Sequence, residues 1–113
     1  ALAIAFGTAH GVYEAEPKLD FNRIAEIRAA VRMPLVMHGG SGVGDADFRE
    51  AIKNGITKVN YFTYMSFGGD AVKAFLKENA ARAEIRYDEL AEAARTAMQA
   101  HVEHAIGIFT KQA

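Results

Sequence analysis

The stretch Pro34-Leu35-Val36-Met37-His38-Gly39-Gly40-Ser41-Gly42-Val43 decides how the chain is read. Proline cannot continue a helix and biases the residue before it toward extended backbone, so a strand opens at Leu35. Three apolar residues then run straight into histidine and a glycine cluster, the pattern of a short strand covered on both faces and closed by a tight loop. Working outward, the apolar run 1–7 ends in glycine and leads to His10-Gly11, and it begins at Ala1 as though already inside a strand. A third run, Ile56-Thr57-Lys58-Val59-Asn60-Tyr61-Phe62, leads to Thr63 without a histidine. Residues 8–19 read as a polar loop containing Pro17. Asp20 is an N-cap for a helix that sets Phe21, Ile24, Ile27, Arg28 and Val31 on or beside one stripe, with the Arg28 stem snorkelling at its edge and Pro34 stopping it. Asp45 caps a shorter helix with Phe48, Ala51 and Ile52 inward, closed at Asn54-Gly55 by the left-handed turn glycine permits. Strand, helix, strand, helix, strand at roughly 25–30-residue spacing is the rhythm of a parallel sheet with right-handed crossovers.

After residue 63 the periodicity is helical. One helix is predicted somewhere in 64–80, carrying Val72, Phe75 and Leu76. A longer one over about 88–110 buries Leu90, Ala94, Ala97 or Met98, His101 or Val102, Ala105 and Ile108. Glu78-Asn79 and the Arg82–Arg86 stretch read as the hinge between them. The chain is expected to be one partial domain, 1–113, with a βαβαβ part over 1–63 and terminal helices over 64–113.

Composition excludes several function classes. Among 113 residues, 13 Lys and Arg oppose 14 Asp and Glu, so no large field draws the chain to nucleic acid. There is no cysteine, which removes disulfides, thiolate metal sites and cysteine nucleophiles together. The apolar runs are too short to span a bilayer and no basic segment precedes an apolar one, so no membrane partner is expected and a cytoplasmic enzyme or enzyme piece is the default.

The chemistry gathers where strands end. In α/β folds the βα loops open at the carboxyl ends of the strands, and a histidine there faces the usual site. Neighbouring parallel strands lie about 4.8 Å apart, so His10 and His38 can converge on one zinc ion at about 2.0–2.1 Å from each nitrogen. A catalytic zinc takes three protein ligands, so a third must come from elsewhere. Gly39-Gly40-Ser41-Gly42 and the Asn60-Tyr61-Phe62-Thr63 turn offer amides and hydroxyls that could hold a phosphate without a lysine. In β/α barrels the phosphate site is built by the loops after the last two strands, and these clusters end the last two strands here. His101 and His104, three apart in the last helix, read as structural or surface residues.

These residues resemble a known family. Ala5-Phe6-Gly7-Thr8-Ala9-His10-Gly11-Val12-Tyr13, Glu16-Pro17-Lys18-Leu19-Asp20-Phe21, the Pro34–Val43 stretch and Gly55-Ile56-Thr57-Lys58-Val59-Asn60 look like the class II, zinc-dependent ketose-bisphosphate aldolases. Those enzymes act on fructose or tagatose 1,6-bisphosphate. The resemblance implies an α/β fold, the C-terminal part of a (β/α)8 TIM barrel. It implies that His10 and His38 are two of three zinc ligands, and that Gly11, Gly39, Ser41, Asn60 and Thr63 hold the phosphate of dihydroxyacetone phosphate. Amides of the Gly11 and Ser41 loops would bind a monovalent cation, Na⁺ or K⁺. Arg86 is the nearest counterpart of an arginine that reaches a neighbouring subunit's substrate phosphate, its alternative being a solvated surface charge.

The chain also departs from that family. It would supply only the sixth, seventh and eighth strands with the terminal helices, so the first zinc histidine, the aspartate beside it and the acidic loop residue would lie upstream. Tyr61-Phe62 stands where small or acidic residues are expected. The implied chemistry is retro-aldol cleavage with zinc polarising the ketose carbonyl, and it needs no lysine Schiff base. Three strands cannot close a barrel, so a missing N-terminal barrel segment or a homo-oligomer is expected to cover the open edge, and the piece alone is expected to be inactive. A non-catalytic phosphate-binding or interaction module derived from an aldolase is the alternative. A free-standing flavodoxin-like domain is a weaker one, because the first βα loop lacks a phosphate-cradling glycine motif.

Overall fold

A computed structural model describes residues 1–9 and 17–110. The elements in chain order are β1 (Leu2–Ala3), α1 (Phe21–Ala30), β2 (Leu35–Met37), α2 (Asp45–Lys53), β3 (Ile56–Val59), α3 (Thr63–Ser66), α4 (Gly68–Glu78) and α5 (Tyr87–Thr110). Contacts group them into two units, Ala1–Tyr61 with Gly107–Ala113, and Phe62–Ile106.

In the first unit the strands form one parallel sheet in the order β1-β2-β3. The central strand matches the reading of a strand covered on both faces, with Leu35, Val36 and Met37 all buried. The first strand differs from the expected 1–7 run: it spans two residues, Leu2 is 37% exposed, and only its inner edge is paired. Pairing nevertheless runs past it, since Leu2 N donates to Pro34 O at 2.8 Å and Ile4 N to Val36 O at 3.3 Å. β3 stops at Val59 rather than at residue 62. Phe6, Ile24, Leu35, Met37, Val43, Phe48, Ala51, Ile56 and Ile108 make one core, so both helices and the last turn of α5 close on the sheet.

Local chemistry sets the helix ends. Asp20 caps α1 as expected, its Oδ1 accepting from Arg23 N at 3.0 Å. That helix ends at Ala30, ahead of Pro34, with Val31 in extended backbone. Asp45 is not the cap of α2 but its first residue; Gly44 takes the cap position and its carbonyl receives Phe48 N at 3.0 Å. Asn54-Gly55 closes α2 with Gly55 at φ +128°, and a Cβ there would also meet the Arg28 stem at 2.9 Å. The arginine stem thus covers the glycine turn, the snorkelling role its position suggested.

In the second unit the helix predicted within 64–80 is α4, which carries Val72, Phe75 and Leu76; Phe67 ends the short α3 ahead of it and caps α4. Gly68 is buried because Met98 and the Ala94 carbonyl of α5 lie where a Cβ would stand. The Asn79–Arg86 bridge, read as a hinge, is clamped. Arg82 donates two hydrogen bonds to Glu89, Nη1 to Oε1 at 2.8 Å and Nη2 to Oε2 at 3.0 Å. Glu89 Oε2 also receives Arg86 N at 3.0 Å, the back-reaching half of a capping box at the start of α5. These bonds, the Arg82 one foremost, hold the Glu89 carboxyl down at about 2, from an ordinary 4.5. No helix among the described residues is long and apolar enough to cross a membrane.

Candidate active site

His38 follows Met37 directly, so it sits half-buried at the carboxyl end of the central strand. What faces it is set by an irregularity in β3. Leu35 pairs with Ile56, but Val36 pairs with Lys58 and Met37 with Val59, leaving Thr57 as an inserted residue. Its hydroxyl donates to Leu35 O at 3.0 Å, using the carbonyl at the irregular step. Side chains alternate faces along a strand, so one extra residue decides which side chain reaches a given neighbour. Without it Val59 would come level with His38; with it Asn60 does, and Asn60 N donates to Met37 O at 3.0 Å.

The Asn60 carboxamide lies against the His38 ring, with Nδ2 2.9 Å from Nε2 and 3.0 Å from Nδ1. The two ring nitrogens point in different directions and a neutral imidazole offers one acceptor, so the amide serves one at a time, as the tautomer dictates. At the other end of the carboxamide, Oδ1 accepts from Lys58 Nζ. Lys58 and Asn60 are two apart, which is the strand period, and that spacing is the signal by which sequence reasoning could have found Lys58.

His38 borders an open cavity of about 340 Å³ whose other walls are Ala3, Ile4, Ala5, Thr8 and Ala9. Gly39 brings these walls together. At φ +71° it adopts the backbone glycine tolerates, and a Cβ on it would stand 2.2 Å from the Ala9 carbonyl oxygen. The backbone just after His38 therefore packs directly on the residue just before His10. His10 and Gly11, the other predicted metal and phosphate residues, lie outside the described residues.

Among the remaining candidates, Gly40 is buried with Phe48 Cζ 2.9 Å from where its Cβ would be, and its carbonyl accepts from Val43 N at 3.2 Å. Ser41 is half-buried in the turn. The first turn of α2 already carries Asp45 and Asp47, so an anion here depends on the loop amides rather than on that helix end. In the first unit Tyr61 sets its ring edge-on to Phe109, centroids 6.2 Å apart. In the second, Phe62 is 73% exposed and Thr63 begins α3. The Arg86 guanidinium meets Asp88 through two bonds of 3.0 Å. His101 stacks on Tyr64 at 6.3 Å, and His104 is exposed on the same helix.

No three His, Asp or Glu side chains among the described residues gather into a metal-holding group. His38 on its own fits as one ligand of such a centre: it is half-buried at a cavity wall, and the Asn60 amide against its ring is a neutral group that can yield to an ion.

Comparison with known proteins bears on the whole chain. The model of the family described as "Fructose-bisphosphate aldolase class-II" matches residues 1–113. Among solved structures, the chain is similar to the YdjI aldolase of Escherichia coli K12, with 33% identity and a TM-score of 0.75 over 96% of this chain and 38% of that one. It is similar to a putative fructose-1,6-bisphosphate aldolase of Coccidioides immitis, with 30% identity and a TM-score of 0.78 over 95% of this chain and 37% of that one. The fructose-bisphosphate aldolase of Campylobacter jejuni shares the fold at 22% identity and a TM-score of 0.75, over 95% of this chain and 39% of that one. The chain thus spans under two-fifths of the length of these solved relatives, and its three parallel strands with their helices match a portion of the aldolase TIM barrel. By a match that runs from its first residue to its last, the chain belongs to the class II fructose-bisphosphate aldolase family.

Proposed function

We propose that this chain supplies part of the active site of a cytoplasmic, zinc-dependent aldolase. The enzyme would cleave a ketose 1,6-bisphosphate, of fructose or tagatose, to dihydroxyacetone phosphate and glyceraldehyde 3-phosphate and run the reverse condensation. One observation carries the reading: Gly39 seats the loop after His38 on the backbone of Ala9, and His38 and Ala9 line one cavity.

In this reading His38 and His10 each give one neutral imidazole nitrogen to zinc. The third ligand and the proton-handling carboxylates belong to barrel segments outside these 113 residues. Zinc, when bound, supplies a Lewis acid that polarises the ketose carbonyl. The loops hold the phosphate: amides of Gly11, Gly39, Gly40 and Ser41 and the Asn60-Tyr61-Phe62-Thr63 turn fix the non-reacting end of the substrate, so that its binding energy orients the reacting carbons. Amides of the Gly11 and Ser41 loops also take a monovalent cation, Na⁺ or K⁺. Arg86, released from Asp88, reaches the substrate phosphate of a second copy in a homo-oligomer.

Metal analysis and an aldolase assay on the full-length protein test this. His38→Ala is expected to lose zinc and cleavage together, and chelators are expected to stop the wild type, while residues 1–113 alone turn nothing over. Cleavage that survives both His38→Ala and chelation would overturn the reading. A second reading is a phosphate-binding module without catalysis, which uses the glycine-rich loop after His38 and needs no metal centre. It would show as dihydroxyacetone phosphate binding by a full-length protein that cleaves nothing.

A further inference from the structure

The site reading uses His38 and Asn60 but leaves Lys58 without a role. Lys58 lies on the exposed side of β3, one strand period before Asn60, and its ammonium donates to Asn60 Oδ1. A carboxamide has two ends of similar size and opposite hydrogen-bonding sense, so turning it over exchanges a donor for an acceptor. An ammonium has three donors and no acceptor, so it holds the oxygen end only.

We infer that Lys58 is a positioning residue: by holding Oδ1 of Asn60 it fixes the carboxamide with Nδ2, and not the oxygen, against the His38 ring. The contact distances of 2.9 and 3.0 Å suit either end of a carboxamide, so the Lys58 contact is what decides which end faces the ring. With the oxygen turned inward, the ring would present N–H to it and keep its acceptor on the other nitrogen, so the end of the carboxamide that faces the ring selects the tautomer. The Thr57 insertion and Lys58 then act in sequence along one strand. The insertion selects Asn60 as the residue beside His38, and the lysine selects which end of its side chain is offered.

The inference rests on the proposed site in naming His38 a ligand, but its test does not require metal. In metal-free full-length protein labelled with ¹⁵N, long-range spectra of the His38 ring report which nitrogen is protonated, recorded well above the ordinary imidazole range. Lys58→Met is expected to change the separation of the two ring-nitrogen shifts and to bring the Asn60 side-chain amide into exchange between two environments. Lys58→Arg, which keeps a donor that cannot accept, is expected to restore the wild-type ring pattern. The same Lys58→Met protein is expected to bind dihydroxyacetone phosphate about tenfold more weakly, in the range that supporting partners of a site command. An unchanged ring pattern and Asn60 amide in Lys58→Met would overturn the inference, whether or not the wild type binds zinc. Wild type without zinc but with a ring pattern that answers to Lys58 would instead overturn the aldolase reading and leave the positioning role standing.

Discussion

The two units are held by different physics. Among the described residues every large buried apolar side chain belongs to the first unit, from Phe6 to Ile108, and the second contributes only Ala105 to the buried apolar set. The second unit is instead ordered by local pairs, the Arg82–Glu89 clamp and the Arg95–Glu92 pair, together with the Tyr64–His101 stack between α3 and α5. Local exposed pairs contribute little each and are screened by salt, whereas nonlocal burial is cooperative. The difference teaches where precision is spent. The segment carrying His38, Gly39 and Asn60 is built on the close-packed unit, and rigid elements hold chemical groups better than solvated ones.

The sharpest way to break this contrast is Phe48→Ala. Removing a buried ring that touches Phe109 at 5.3 Å is expected to cost about 3–5 kcal/mol in denaturant unfolding and to strip hydrogen-exchange protection from β2. Protection in β2 left intact would mean that the core is not the support assigned to it. Gly39→Ala comes next: the new Cβ falls 2.2 Å from Ala9 O at a positive φ, and a strain of about 1–3 kcal/mol is expected, with weakened zinc binding by titration. Unchanged zinc affinity would separate the two loops. Asp20→Ala removes one cap bond from α1, and a loss of about 1 kcal/mol by thermal unfolding is expected.

The smallest effect belongs to the second unit and is a pH dependence. The Glu89 carboxyl lies lower in the folded chain, at about 2, than its ordinary 4.5. Its contribution is therefore complete above the ordinary carboxylate range and is lost as pH falls from there through about 2. Exchange of the amides at the start of α5 should quicken over that window, and Glu89→Gln should flatten the response. High salt should imitate the acid limb in the second unit and leave the first unit unmoved.

Much of the fold was legible because Leu35–Met37 and the Asp20 cap are local signals that tertiary packing does not overrule. The parallel rhythm, the central buried strand and the Gly55 turn all follow from them. The short α3 ahead of α4 was not legible, since the apolar spacing of Val72, Phe75 and Leu76 begins only after Phe67 and the turn there goes with the burial of Gly68 against Met98. Asp45 misled because an acidic residue suits both the cap and the first turn. At the site, His38 and the glycine loop announce themselves, while Asn60 beside His38 depends on a one-residue slip at Thr57 that no propensity encodes. Arg86 could be read as a solvated charge or as an arm toward a phosphate, because its pairing with Asp88 lies only two residues away and leaves no periodic trace.

Phe48 also constrains how this loop could ever be redesigned. Its ring fills the space over Gly40 on one side and abuts Phe109 on the other, so position 40 has no room for even a methyl group while that ring stays. Any lineage or engineer seeking a bulkier loop floor must shrink the helix residue first and accept a looser chain end in return.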